Sequence, residues 1–210
     1  MVIGLLAIAA IPTVTGVGQA ISAQKKQNAA SREQEKCYLA GMLPTSKGFE
    51  DAGFCVLIGG QLFIDLPEYP VPGHKFCGYY FNYPSEEGHR GLVSTISDDP
   101  PMLNWIFVDK DTHAVRYGAR KDTIGHVIGP WGWSDDADGR FLTLQGNHAP
   151  FVARRAEIGG GRVLWGVYWD PDQEMVAALE ADQCKPLRLH RKPVLGMESR
   201  YVRESEEPRK

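Results

Sequence analysis

The sequence predicts a mainly β protein: an antiparallel β-barrel or two-sheet β-sandwich of about eight or nine strands, preceded by an N-terminal helix. Three observations lead there. Between residues 54 and 170, short runs rich in β-branched and aromatic residues alternate with Gly, Pro and Asp clusters, the pattern of strands and tight turns. The 210-residue chain carries Gly 23 and Pro 14, which suits a turn-rich fold. No long helical pattern interrupts the runs, which argues against a parallel Rossmann-like sheet and for pairing of sequential neighbours.

Residues 1–24 carry no charge. The stretch 1–21 has the length of a membrane span, the apolar core of a signal peptide without its basic start, or the face of a buried or oligomer-forming helix. If it spans, Lys25 and Lys26 favour a cytosolic main domain. Residues 15–39 read as one helix, apolar early and solvated late, because no Pro or Gly breaks them after Gly18 and the later part is rich in helix formers. The organisation expected is an N-terminal segment 1–43, a β domain 44–184 and a mixed-charge tail 185–210. That tail holds eight Lys or Arg against four Glu, and its basic part could touch acidic headgroups or simply be solvated.

Within the β domain, Gly59-Gly60 between two apolar runs predicts a hairpin, since two-residue turns need positive φ. Pro67, Pro70 and Pro72 enforce an extended loop. Residues 74–83 and 92–96 read as strands. Further hairpins are expected for 105–108 with 114–118, for 141–145 with 151–156, and for 153–158 with 162–169. Residues 171–183 should hold a short closing helix.

Chemistry is sparse. No nucleophile elbow, Walker loop or Gly-x-Gly-x-x-Gly fingerprint occurs, and no cofactor is expected. The four cysteines lack Cys-x-x-Cys spacing, and the six histidines lack metal-binding spacing, so no metal site is assigned. The residues from Ser134 through Asp136 and Asp138 to Gly139 imitate a calcium loop but end in Gln145 where a Glu is required. A net charge of -3 argues against nucleic-acid binding. The best lead is aromatic. Period two puts Trp165, Val167 and Trp169 on one strand face, lining either a pocket or the core, and Trp131 and Trp133 fall in a loop.

The segments 108–118, 129–134, 141–146 and 167–170, with the apolar N-terminus running into Lys25 and Lys26, resemble an uncharacterised family of filamentous-fungal proteins. The resemblance implies a fungal source and transfers no catalytic residue. The expected function is a binding protein that presents Trp131, Trp133, Trp165 and Trp169 to a small apolar ligand or protein partner, intracellular and attached to a membrane through 1–21. One alternative is a cofactor-independent isomerase or cyclase using His126, His148, Asp135 and Asp136. Another is a structural protein that forms homo-oligomers through its N-terminal helix.

Overall fold

The computed structural model describes residues 35–67, 70–86, 88–98, 101–134, 140–158 and 161–194. The first strand, β1 (Cys37–Thr45), leads into β2 (Gly48–Ile58) and β3 (Gln61–Asp65). After the Pro-rich loop come β4 (His74–Lys75), β5 (Cys77–Asn82), β6 (Arg90–Asp98), β7 (Pro101–Val108) and β8 (Val115–Gly118). The third part holds β9 (Trp131–Trp133), β10 (Leu142–Leu144), β11 (Phe151–Ile158), β12 (Arg162–Trp169), the helix α1 (Glu174–Ala178), β13 (Cys184–Pro186) and β14 (Arg188–Pro193).

Every ladder is antiparallel. Six strands form a barrel. The ladders β14–β1, β1–β5, β5–β6 and β9–β10 supply most of the wall. A bridge from Phe141 to His190 joins the β10 and β14 sides. The remaining seam is a close backbone approach: a Cβ placed on Gly129, ahead of β9, would lie 2.6 Å from the Arg90 carbonyl of β6. Three hairpins, β2–β3, β7–β8 and β11–β12, cap one end. Their second strands meet in a triangle: Gln61 pairs with Arg116, Ile64 with Trp165, and Ala114 bridges to Tyr168. The chain thus repeats one unit of barrel strand, hairpin and barrel strand three times.

One apolar cluster fills both layers. Leu39, Leu92, Trp131, Leu142 and Leu189 come from the barrel; Leu62, Ile64, Ile106, Val115, Phe151 and Val167 come from the cap. Their alternation with outward residues is the period of two that strands impose.

The predicted hairpin at Gly59 and Gly60 forms, with φ of 54° and 86°, the paired positive values that glycine tolerates. The hairpins at 105–118 and 153–169 also form, as does the short helix. The strands expected at 74–83 and 92–96 appear as β4, β5 and β6, and the fold is mainly β and antiparallel as expected; other readings are corrected. The barrel-or-sandwich alternative gives way to the threefold arrangement above. The segment 37–39, expected at the end of a helix, opens β1, because pairing with β14 and β5 outweighs the helix propensity of Leu39, Ala40 and Met42. Residues 15–34 of that expected helix lie outside the described residues, as does the 1–21 stretch. Among the described residues no helix is long and apolar enough to cross a membrane. Residues 185–193, read as the start of a tail, supply part of β13 and all of β14, because inward Leu189 continues the barrel core. Finally, β10 pairs with β9 rather than β11, because the 145–150 turn carries the chain out of the barrel into the cap.

Candidate functional site

The expected alternation along β12 holds. Trp165, Val167 and Trp169 all face the main core, whereas Leu164 and Tyr168 pack into two separate clusters on the other side. Trp169 is buried, with its ring 4.7 Å from Phe151 in an edge-to-face contact. Trp131, expected in a loop, lies in β9 and is 1% exposed, with its indole stacked on Phe151 at 6.2 Å. Trp133 points the same way, half-buried, 5.3 Å from Tyr80 and beneath the Arg191 guanidinium. Gly132 between them is needed where the backbone passes Thr143, whose hydroxyl would meet a Cβ at 2.9 Å.

Two of the catalytic candidates, His126 and His148, lie within the described residues, each against an aromatic ring. His126 lies against Phe107 at 5.2 Å, and its Nδ1 accepts the Lys110 amide at 3.2 Å. His148 stacks on Phe141 at 5.4 Å. Asp135 and Asp136, with the calcium-like loop, lie outside the described residues. Among the described residues no three His, Cys, Asp or Glu side chains gather as metal ligands. The Cys55 thiol is pushed up to about 12 by burial, and Cys184 is raised by burial and by the nearby Asp170 carboxylate. Both thiols are free, buried and held in the protonated, unreactive form.

Trp165 differs from the core indoles. It sits where β12 pairs with β3 and is half-buried. It lines a cavity of about 200 Å³ together with Ile64, Leu66, Val163, Leu164 and Arg155. Two cations approach its ring: the Arg155 guanidinium at 5.7 Å and the Lys185 ammonium at 5.3 Å. Arg155 faces Trp165 directly across the β11–β12 ladder, and Lys185 comes from β13 on the far side of β11. The arrangement is a small cavity of mixed polarity with Arg155 in its wall and Lys185 beside the Trp165 ring. A tryptophan face stabilises such cations by about 0.5–1 kcal/mol each at exposed sites, holding them in place without neutralising them.

A second, larger cleft of about 600 Å³ opens on the outer surface of the cap, between the β7–β8 turn, β11 and the start of α1. Its lining is polar and includes Gln61, His113, Arg154 and Asp172. The turn that forms one wall is braced by Asp109. Its buried carboxylate accepts the amides of Asp111 at 3.0 Å and Thr112 at 2.9 Å and pairs with Arg116 at 3.3 Å. Burial opposes ionisation there, but those amides and the guanidinium prevail and hold the Asp109 carboxyl at about 2. His113 adopts φ 60°, and its Nδ1–H donates to the Trp169 carbonyl at 3.1 Å. That bond places a proton on Nδ1. Asp170 caps α1 by accepting the amides of Met175 and Val176 at 3.0 and 3.1 Å.

The sequence did not single out Gln61, His113 or Arg155. For His113 a signal existed: Asp and Thr fill the turn before it, and His is one of the few residues that tolerate left-handed φ. Gln61 and Arg155 carry no local signal, because their positions depend on pairing between distant strands.

A six-stranded barrel capped by a triangle of three hairpins is a β-trefoil. The chain belongs to the fungal β-trefoil domain family, whose model matches residues 16–194, as the resemblance to a fungal family implied. Comparison with curated proteins and with solved structures found no match.

Proposed function

We infer that this β-trefoil is a binding protein and that its ligand site is the Trp165 cavity, which takes a small ligand with an apolar body and an acidic end. One observation carries the reading. Among the tryptophans singled out in the sequence, Trp165 lines an open cavity, and the two cations beside its ring supply a counter-charge. Ile64, Leu66 and Leu164 give the apolar wall that drives association, about 25 cal/mol per Å² of covered apolar surface. The volume is below the usual ~300–1,000 Å³ of drug-sized sites, which points to a short chain or to one side chain of a partner.

The test is titration of the full chain with hexanoate and, separately, 1-hexanol, following the indole N–H resonance of Trp165 assigned through Trp165→Phe. Hexanoate should move that resonance and hexanol should bind more weakly. Arg155→Gln should reduce the difference between the two. An unmoved Trp165 signal, or equal binding of acid and alcohol, would overturn the reading.

A further inference from the structure

We propose that the outer face of β5, β6 and β7 is the contact surface of a weak, twofold-symmetric dimer of this chain. Strand alternation turns Cys77, Tyr79 and Phe81 of β5, Gly91, Val93 and Thr95 of β6, and Leu103, Trp105 and Phe107 of β7 to one side. None of these residues is charged. Phe81 and Leu103 stay 56% and 49% exposed. Ile124 is exposed beside them: its neighbour Thr123 holds the Tyr83 hydroxyl at 2.7 Å, and Tyr83 packs on Trp105 at 4.9 Å. An exposed apolar patch on one sheet face is the mark of an interaction surface.

The face fits a second copy of itself. In a twofold contact the same patch meets its own mate, so a charged centre would face like charge and an uncharged one does not. The net charge of -3 adds little repulsion between copies. The relief matches as well. Phe81 and Leu103 protrude at opposite corners, with buried Val93 as the floor between them. Cys77, partly buried, and Phe107, buried against the His126 ring, hold the other two corners. A half-turn about an axis across the strands sets Phe81 on Cys77 of the copy, and Leu103 on Phe107 and His126 of the copy. Sheets packed in this aligned way lie about 10 Å apart, close enough for their side chains to interdigitate. Phe81, Leu103, Trp105 and Tyr79 expose on the order of 300 Å² of apolar surface, taking ~150–250 Å² for a whole aromatic side chain. Two such patches with a polar rim bury on the order of 1,000 Å², below the ~1,200–2,000 Å² of stable complexes, so the contact is weak and reversible. A lipid surface is the poorer match, because no Lys or Arg stands among the outward residues to meet headgroups.

Sedimentation velocity of the full chain between about 10 μM and about 1 mM should show a monomer–dimer equilibrium. Phe81→Ser and Leu103→Ser should each weaken it at least about tenfold, as the loss of an anchoring side chain does. Val163→Ser removes a comparably exposed side chain from β12 and should leave it unchanged. Phe81→Cys gives a readout of the packing itself. Positions 77 and 81 lie about 13 Å apart along β5, too far to bond within one chain. Copper phenanthroline, an oxidant that takes two electrons and two protons from a pair of thiols, should therefore join two copies through positions 81 and 77, and adding Cys77→Ala should abolish that link. The proposal fails if the chain stays monomeric to about 1 mM, if the dimer survives both Phe81→Ser and Leu103→Ser, if Val163→Ser weakens it equally, or if no link forms between 81 and 77. Binding of a monomer to phosphatidylcholine vesicles, lost in Phe81→Ser, would overturn it in favour of a lipid surface.

Discussion

Two outer faces of the barrel occupy equivalent places in the threefold repeat, and they differ sharply. On the first, β14–β1–β2, Leu39 points inward while Tyr38, Ala40, His190 and Lys192 point outward. On the second, β5–β6–β7, Leu92 takes the inward place and Gly91, Val93, Tyr79 and Phe81 the outward ones. Ala40 pairs with Phe54 on one face, and Val93 with Trp105 on the other. A β-bulge interrupts the ladder shortly afterwards in both cases, after Gly41 and after Thr95. The first face is closed by charge: the Asp51 carboxylate lies 2.7 Å from His190 Nε2 and accepts from Lys192 at 2.6 Å, and Lys75 sits 4.0 Å over Phe54. The second is closed by rings: Trp105 lies 4.9 Å from Tyr83 and 6.1 Å from Phe81, which stays 56% exposed. The fold dictates the inward residue and the bulge. It leaves the outward surface open to either solution.

The largest expected effect tests that equivalence from inside. Leu39→Ala and Leu92→Ala each remove a fully buried side chain. Each should cost about 2–5 kcal/mol in urea unfolding, and the two costs should be similar. A cheap loss at one position with an expensive loss at the other would break the correspondence.

Acid should separate the faces next. Burial lowers the pKa of His190, and Lys192 and Arg140 act the same way, against the pull of Asp51. A depressed histidine favours the neutral folded form. Its stabilisation is therefore complete above about 6.5, the unfolded value, and is lost as pH falls below it. His190→Gln should flatten the stability profile between about pH 7 and 5, whereas substitution on the aromatic face should not. Asp51→Ala should cost about 1 kcal/mol, at the low end for a charged hydrogen bond, because the Asp51 side chain is half-exposed and water can replace it. A second acid loss belongs to the cap. Asp109, held at about 2, contributes stability that is present above about 4 and lost as pH falls toward 2. Asp109→Asn should remove that step, worth about 2 kcal/mol for a nearly buried carboxylate.

The two faces also explain what the sequence could and could not convey. Local rules were legible: the Gly59–Gly60 turn, the alternation through Trp165, Val167 and Trp169, and the hairpins whose partners are adjacent in the chain. The threefold repeat was not, because equivalent strands share the inward leucine and the bulge but almost no outward residue. The barrel's first and last strands were misread for related reasons. β1 holds the good helix formers Leu39, Ala40, Met42 and Leu43, and β14 puts Arg188, Arg191 and Lys192 around a single inward Leu189, which reads as a solvated tail. β9 is too short for a periodicity signal. The Trp165 cavity was half-legible, since the indole was flagged but its cations come from two other strands. The Gln61 amide was invisible, because only the β3–β12 register brings it over Gly166.

The smallest effect concerns the exposed surfaces themselves. Phe81→Ser removes an apolar ring already more than half in water, and Lys192→Ala removes one exposed partner of Asp51. Both should change stability by no more than about 1 kcal/mol, because exposed apolar contacts and surface ion pairs contribute little. Their difference should appear in salt. The Lys192 effect should shrink as ionic strength rises from about 0.01 to 1 M and the screening length contracts from about 30 to 3 Å. The Phe81 effect rests on contact with Trp105 and should not shrink. A Phe81 penalty well above 1 kcal/mol would mean that the ring supports Trp105 over Gly91, where a Cβ would lie 2.5 Å from the indole. The second face would then be as much a structural closure as the first.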